Sequence, residues 1–111
     1  MPHSGSLLQR LPTGAADEVF ETLVRVGDVG FERIVSTGQA TPPGDWYDQT
    51  QHEFVVVLTG AASVRLASEQ TPRDLTPGDW LWIPARCWHR VEYTCSDPTT
   101  VWLAIFVPAE G

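Results

Sequence analysis

Few residues of this sequence could carry chemistry, and most of them lie in two short segments, residues 46–53 and residues 77–89. The side chains there that could bind a cation are Asp48, Gln49, His52, Glu53 and His89. An imidazole and a carboxylate that share one interior are the minimum set for a divalent metal, and further oxygen or nitrogen ligands can complete it. The two segments therefore predict a metal site or a buried polar site.

Side-chain alternation indicates which of these residues share a face. Glu53 opens an apolar run in which Val55 and Val57 follow at two-residue spacing, so the carboxylate lies on an apolar face of a strand. A buried carboxylate is costly unless it is paired, hydrogen-bonded or bound to a cation. His89 opens a later strand whose inner face also carries Val91. We therefore expect Glu53 and His89 to point into the same interior.

The position of His52 leaves two arrangements open. His52 is adjacent to Glu53, so the two side chains face opposite sides of a regular strand. A bulge at Gln51 and His52 would bring both inward, and two His with a carboxylate would suit Fe(II), Mn, Ni or Zn. Without the bulge, Glu53, His89 and Gln49 would form a buried hydrogen-bonded network with water.

The elements that must position these residues are short strands. Nine Gly and nine Pro interrupt runs rich in Val, Ile, Phe, Trp and Thr, a pattern typical of an all-β sandwich or barrel. The predicted strands are Val19 to Val26, Phe31 to Ser36, Trp46 to Gln49, Glu53 to Thr59, Ala62 to Ala67, Arg73 to Leu75, Asp79 to Ile83, His89 to Thr94 and Val101 to Val107. We expect a helical turn at Ala15 to Glu21, a flexible arm over residues 1–14 and one domain over residues 15–111.

Composition excludes several classes of function. Seven Arg, no Lys and fourteen acidic residues give a formal charge of −7, so we expect neither a nucleic acid nor a membrane as partner. The absence of Lys removes Schiff-base catalysis. The sequence shows no signal peptide and no membrane-spanning run, which favours a cytoplasmic protein whose Cys87 and Cys95 stay reduced.

The two segments resemble the paired motifs of the cupin superfamily, whose members are small double-stranded β-helix or jelly-roll barrels. Glu53, six residues and Gly60 match the end of the first motif. Gly78, five residues and Pro84 match the start of the second motif, and His89 falls at its metal-ligand position. The resemblance covers most of the chain and implies a cupin-like jelly-roll fold.

The sequence departs from the cupin pattern at several motif positions. The two His positions of the first motif carry no His in this sequence. Arg86 stands where the second motif has Gly, and Tyr93 stands where it has Asn. The resemblance therefore implies two clear metal ligands, Glu53 and His89, with one or two more to come from Asp48, Gln49 and His52.

The resemblance implies a small protein that holds a divalent metal, a small organic metabolite or both inside its barrel. The reactions it allows are dioxygenation, isomerisation and decarboxylation, with Fe, Mn, Ni or Zn as the metal. The residues expected to line the pocket are Tyr47, Trp82, Tyr93, Trp102 and Phe106.

Two other functions fit the same sequence. One is a metal-free barrel that binds a small molecule without catalysis. The other is a structural barrel that forms a homodimer, because Phe54, Val56 and Leu58 give β-strand 53–59 an apolar outer face that must be covered. The sequence does not choose between catalysis and binding, since one fold supports many functions.

Overall fold

The computed structural model describes residues 2–110 and contains eight strands and no helix in that part of the chain. The strands are β1 (Val19–Val26), β2 (Val29–Ser36), β3 (Gln51–Thr59), β4 (Ala62–Leu66), β5 (Arg73–Leu75), β6 (Trp80–Ile83), β7 (His89–Thr94) and β8 (Thr100–Pro108). A five-stranded antiparallel sheet has the order β1-β2-β8-β3-β6, and a three-stranded antiparallel sheet has the order β5-β4-β7. The all-β prediction is confirmed.

Two of the predicted elements take a different form. The predicted strand from Trp46 to Gln49 is reduced to one bridge, in which Tyr47 and His89 exchange both backbone hydrogen bonds. The helical turn predicted at Ala15 to Glu21 is wrong, because strand β1 begins at Val19 and pairs along its length with β2. This pairing satisfies the backbone groups of a segment rich in β-branched residues, which favour strands over helix.

The two sheets pack around one apolar core. Its buried members are Ile34, Val55, Val57, Ala62, Val64, Leu66, Leu75, Leu81, Ile83, Trp102 and Ala104. In β3 the buried positions alternate with half-buried ones, so the side chains of Val55 and Val57 point inward together with that of Glu53. The core packing of β3 therefore also carries the Glu53 carboxyl group into the interior.

The turn between β3 and β4 explains why the first motif ends on glycine. Gly60 has a φ of +82°, and a Cβ atom there would lie 2.5 Å from Thr100 Oγ1 and 2.6 Å from Thr100 Cα. Only glycine accepts both this backbone conformation and this close approach. The tight turn therefore lies directly against Thr100, the first residue of β8.

The chain before β1 is tied to β2 by one buried guanidinium group. Arg33, 5% exposed, donates hydrogen bonds to the carbonyl oxygens of Leu7, Gln9 and Arg10 and to the carboxylate of Glu21. Met1 and Gly111, the outer ends of the two predicted ranges, lie outside the described residues. The flexible arm over residues 1–14 and the single domain after it stay predictions.

Both cysteines are free thiols: Cys87 lies in the turn before β7, and Cys95 follows the last residue of β7. No helix in residues 2–110 has the length and apolar character needed to cross a bilayer.

Candidate functional site

A cavity lies between the two sheets, and its polar lining residues come from both of the segments singled out above and from the residue just before β1. They are Glu18, Tyr47, Gln49, Glu53 and His89, set among aliphatic and aromatic side chains. The cavity volume is about 70 Å³, which is room for roughly five water-sized groups. A small molecule of a few non-hydrogen atoms fits this space.

Glu53 and His89 meet at this cavity from different sheets, because Glu53 lies on β3 and His89 is the first residue of β7. The two residues are 7% and 4% exposed, and Glu53 Oε1 lies 3.9 Å from His89 Nε2. This distance is too long for a direct hydrogen bond. Both atoms are therefore available to a third group in the cavity.

The ring of His89 is oriented by its neighbours. His89 Nδ1 lies 2.9 Å from the carbonyl oxygen of Cys87, and since a carbonyl only accepts, Nδ1 carries the proton and Nε2 of the neutral ring is unprotonated. The ring of Tyr47 stacks on the imidazole with centroids 5.4 Å apart. Burial lowers the pKa of His89, so a neutral imidazole directs a basic nitrogen towards Glu53.

Glu53 is held in a setting that favours its protonated form. Burial raises the pKa of Glu53 to about 7, against the opposing effect of a hydrogen bond from Gln49. That bond runs from Gln49 Nε2 to Glu53 Oε1 over 3.1 Å. The negative charges of Glu32 and Glu18 raise the pKa further. The carboxyl group therefore gains and loses its proton near neutral pH.

Glu18, which the sequence analysis missed, is a second carboxyl group at the cavity. Its carboxylate accepts a hydrogen bond from Ser36 Oγ, and Ser36 Oγ in turn accepts one of 3.0 Å from Trp102 Nε1. Burial raises the pKa of Glu18, and the Ser36 hydrogen bond opposes this. The alternation of Glu18 with Phe20 could have revealed it, but the predicted helical turn concealed that pattern.

Asp48 is directed away from the cavity, whereas Gln49 lines it. The Asp48 carboxylate forms an ion pair of 3.1 Å with Arg86. Arg86 has a φ of +64°, in the left-handed region, which explains why the second motif has glycine at this position. The backbone N–H of Arg86 also donates to the carbonyl oxygen of Gln49 over 2.7 Å, so this turn holds Gln49 in place.

His52 also lies outside the cavity, because the bulge that would turn it inward is absent. His52 pairs with Val107 and Glu53 pairs with Phe106 in regular register. The irregularity in β3 occurs further along, between residues 57 and 59. His52 Nδ1 instead accepts a hydrogen bond from the backbone N–H of Ala85 over 2.9 Å, and its ring lies against Trp82.

Of the five residues predicted to line the cavity, Tyr47, Trp102 and Phe106 lie there. Trp82 points outward because its neighbours on β6 occupy the inner positions. Tyr93 is 52% exposed, because a register shift between β4 and β7 places one extra residue in β7 and reverses its alternation.

These side chains do not fit the divalent metal that the motif resemblance implies. A catalytic zinc site has three protein ligands and a structural one has four. Among residues 2–110, no three His, Cys, Asp or Glu side chains are grouped as metal ligands. Gln49 presents its amide nitrogen, which is no metal ligand, to Glu53. Glu53 and His89 therefore lie 3.9 Å apart as a carboxyl group and an imidazole, each with one hydrogen-bond partner of its own.

Comparison with known proteins identifies the family. The Cupin domain family model matches residues 31–106. A protein from Ralstonia eutropha JMP134, named a "putative mannose-6-phosphate isomerase", is 45% identical, and the match covers 97% of this chain and 100% of that one with a TM-score of 0.94. A search of the curated proteins finds no match.

More distant solved structures share the fold. A cupin superfamily protein from Desulfitobacterium hafniense DCB-2 is 16% identical over 89% of this chain and 84% of that one, with a TM-score of 0.71. A cupin with a double-stranded β-helix fold from Methanocaldococcus jannaschii is 17% identical over 88% and 86%, with a TM-score of 0.67. The predicted jelly-roll fold is confirmed, and the chain belongs to the cupin family.

Proposed function

We propose that this cupin binds a small organic molecule in the cavity between its sheets and exchanges a proton with it through Glu53 and His89. The observation that carries the proposal is the separation of 3.9 Å between Glu53 Oε1 and His89 Nε2. Neither atom is hydrogen-bonded to the other, and both residues line the cavity. A ligand atom placed between them would contact a carboxyl group and a basic nitrogen together.

Proton transfer is the chemistry that these two groups could perform themselves. The neutral imidazole of His89 has a free lone pair on Nε2, and Glu53 has a pKa of about 7. General acid–base catalysis works best when the pKa of the catalytic group lies near the working pH. Of the reactions that the cupin resemblance implies, isomerisation by proton transfer is therefore the one we favour.

The substrate named for the Ralstonia relative does not suit this cavity. Cationic side chains are the usual partners of a phosphate ester, yet the chain has no Lys and no Arg lines the cavity among the described residues. The lining instead holds two carboxyl groups, Glu18 and Glu53, which repel an anion when they are ionised. The proposal keeps the reaction type of that name without its phosphorylated substrate.

Binding of small probe molecules tests the proposal. The probes are isobutanol, isobutylammonium and isobutyrate, each with a few non-hydrogen atoms, and the readout is the indole N–H resonance of Trp102, which lines the cavity. At least one probe should shift it saturably in the wild type and in His52→Ala, with affinity about tenfold weaker in His89→Ala. If no probe shifts this resonance, or if His52→Ala alone abolishes the shift, the proposal is wrong.

A homodimer is a second candidate function, and one contact on the outer face of the five-stranded sheet favours it. Phe54 stacks on Trp80 with ring centroids 5.6 Å apart, and Trp80 is 62% exposed. Covering these rings would remove apolar surface from water. Light scattering should give twice the 12.3 kDa chain mass, and a monomer would contradict this candidate. The cytoplasmic location also stays a prediction.

A further inference from the structure

The charges around the cavity are of one sign. Glu18 and Glu53 both line it, whereas none of its described lining residues is Arg and the chain contains no Lys. Guanidinium groups instead pair with carboxylates elsewhere, as in Arg33–Glu21, Arg73–Glu69 and Arg86–Asp48. An anionic ligand would therefore meet repulsion without any compensating cation.

The unprotonated Nε2 of His89 and the ionised forms of Glu18 and Glu53 are hydrogen-bond acceptors. His89, 4% exposed, presents the unprotonated Nε2, since its Nδ1–H donates to a backbone carbonyl. Glu53 receives one side-chain hydrogen bond, from Gln49, and Glu18 receives one, from Ser36. A carboxylate has about four acceptor sites. These acceptors call for a ligand that is rich in donors.

An ammonium group meets these requirements better than a hydroxyl group. It has three N–H donors and no acceptor, and its positive charge pairs with a buried carboxylate, which is otherwise costly to ionise. The aromatic lining residues Tyr47, Trp102 and Phe106 offer ring faces, which attract cations, and apolar surface for a short carbon chain.

We propose that the ligand of this cavity is a small organic cation, a primary amine with a short apolar chain, whose ammonium group contacts Glu53 and His89 and is further neutralised by Glu18. This inference rests on the proposed function, because it names the class of molecule that the cavity binds. It predicts an order of affinity among molecules of the same shape.

The three isobutyl-type probes supply that comparison. With the Trp102 indole resonance as readout, isobutylammonium should bind at least about tenfold more tightly than isobutanol, and isobutyrate most weakly. Glu53→Gln and Glu18→Gln should each reduce the preference for the amine over the alcohol by about threefold or more. Asp28→Asn, which removes the same charge from an exposed turn between β1 and β2, should leave the preference unchanged.

The outcomes separate this inference from the proposed function. If isobutanol or isobutyrate binds as tightly as isobutylammonium, the inference is overturned while small-molecule binding stands. The same holds if Asp28→Asn lowers the amine preference as much as the two cavity variants. If no probe reaches the cavity, both are overturned. The wild-type ranking decides the question even if a cavity variant fails to fold.

Discussion

Glu53 on β3 and His89 on β7 belong to different sheets and hold a carboxyl oxygen and an imidazole nitrogen 3.9 Å apart in the interior. Each side chain reaches this place through the ordinary two-residue alternation of its strand. His89 donates through Nδ1 to the carbonyl of Cys87, which leaves Nε2 free, and Glu53 Oε1 accepts one hydrogen bond from Gln49 and can accept another from a ligand. The following predictions test the physical consequences of this arrangement.

Replacing Glu53 by Gln should change the pH dependence of stability. The pKa of Glu53 rises from 4.5 to about 7 on folding, so between these values the folded state holds a proton that the unfolded state has lost. Wild-type stability due to this group therefore falls as pH rises through this window, by up to about 3 kcal/mol. In urea unfolding, the free energy of unfolding of Glu53→Gln relative to that of the wild type should rise between about pH 5 and about pH 8.

The difference between variant and wild type isolates Glu53 from its neighbours. Glu18 has a raised pKa and changes the stability of the fold in the same direction. His89 has a lowered pKa, so its contribution to stability is lost as the pH falls below its ordinary pKa of 6.5. Both contributions are present in the two proteins and cancel to first order. An equal difference in unfolding free energy at both pH values would contradict the assignment.

Removing the hydroxyl of Ser36 should destabilise the fold. Ser36→Ala leaves Trp102 Nε1 without its acceptor and Glu18 without its donor. A buried polar group left unpaired costs about 1–3 kcal/mol. The matched control is Ser63→Ala, whose hydroxyl donates to the exposed Asp74 and should change the unfolding free energy by less than about 0.5 kcal/mol. Equal effects of the two variants would contradict the role assigned to the hydrogen bonds that Ser36 forms with Glu18 and Trp102.

A Cβ at Gly60 should cost more than a Cβ at Gly44. Both glycines have nearly the same φ, +82° and +84°, but only at Gly60 would the new atom meet Thr100, at 2.5 Å. Gly44→Ala should lower the free energy of unfolding by about 1–2 kcal/mol because of its left-handed backbone alone. Gly60→Ala should lose at least about 2 kcal/mol more because the β3–β4 turn must shift. Thermal unfolding with similar midpoints for both variants would refute the close approach.

Protein purified without added metal should retain less than about 0.1 metal ion per chain, and Fe²⁺, Mn²⁺, Ni²⁺ or Zn²⁺ should not raise its unfolding temperature. The reason is that Glu53 and His89 supply two ligands where a catalytic site needs three. Elemental analysis checks this. One metal ion per chain that is lost in His89→Ala but kept in His52→Ala would reinstate the metal site.

Alternation made the inward direction of Glu53 predictable, because Val55 and Val57 share its face and must be buried. The same reasoning applied to His89 with Val91. It was wrong for Tyr93, which it placed on the inner face, because a register shift against β4 reverses the alternation within β7, and nothing in the local sequence marks that shift. Local periodicity indicates a face only as far as the strand stays regular.

Which side chains line the cavity depended on how the strands pair, and local sequence patterns do not show this. The pairing of β3 with β8 is regular at His52, so its ring contacts Trp82 outside the cavity. Glu18 reaches the cavity because β1 forms a hairpin with β2, and this pairing overrides the tendency that predicted a helical turn. The positions of His52 and Glu18 therefore depend on how their strands pair with neighbouring strands.

The side-chain ¹H–¹⁵N correlation spectrum of the histidine rings, recorded while isobutanol or isobutylammonium is added, tests the central claim most directly. His89 should show a neutral ring with its proton on Nδ1 and a saturable shift of Nε2. The resonances of His52, which lies outside the cavity, should stay in place. A spectrum in which His52 responds and His89 does not, or in which no ring responds to either probe, would contradict the claim that these two residues form the binding site.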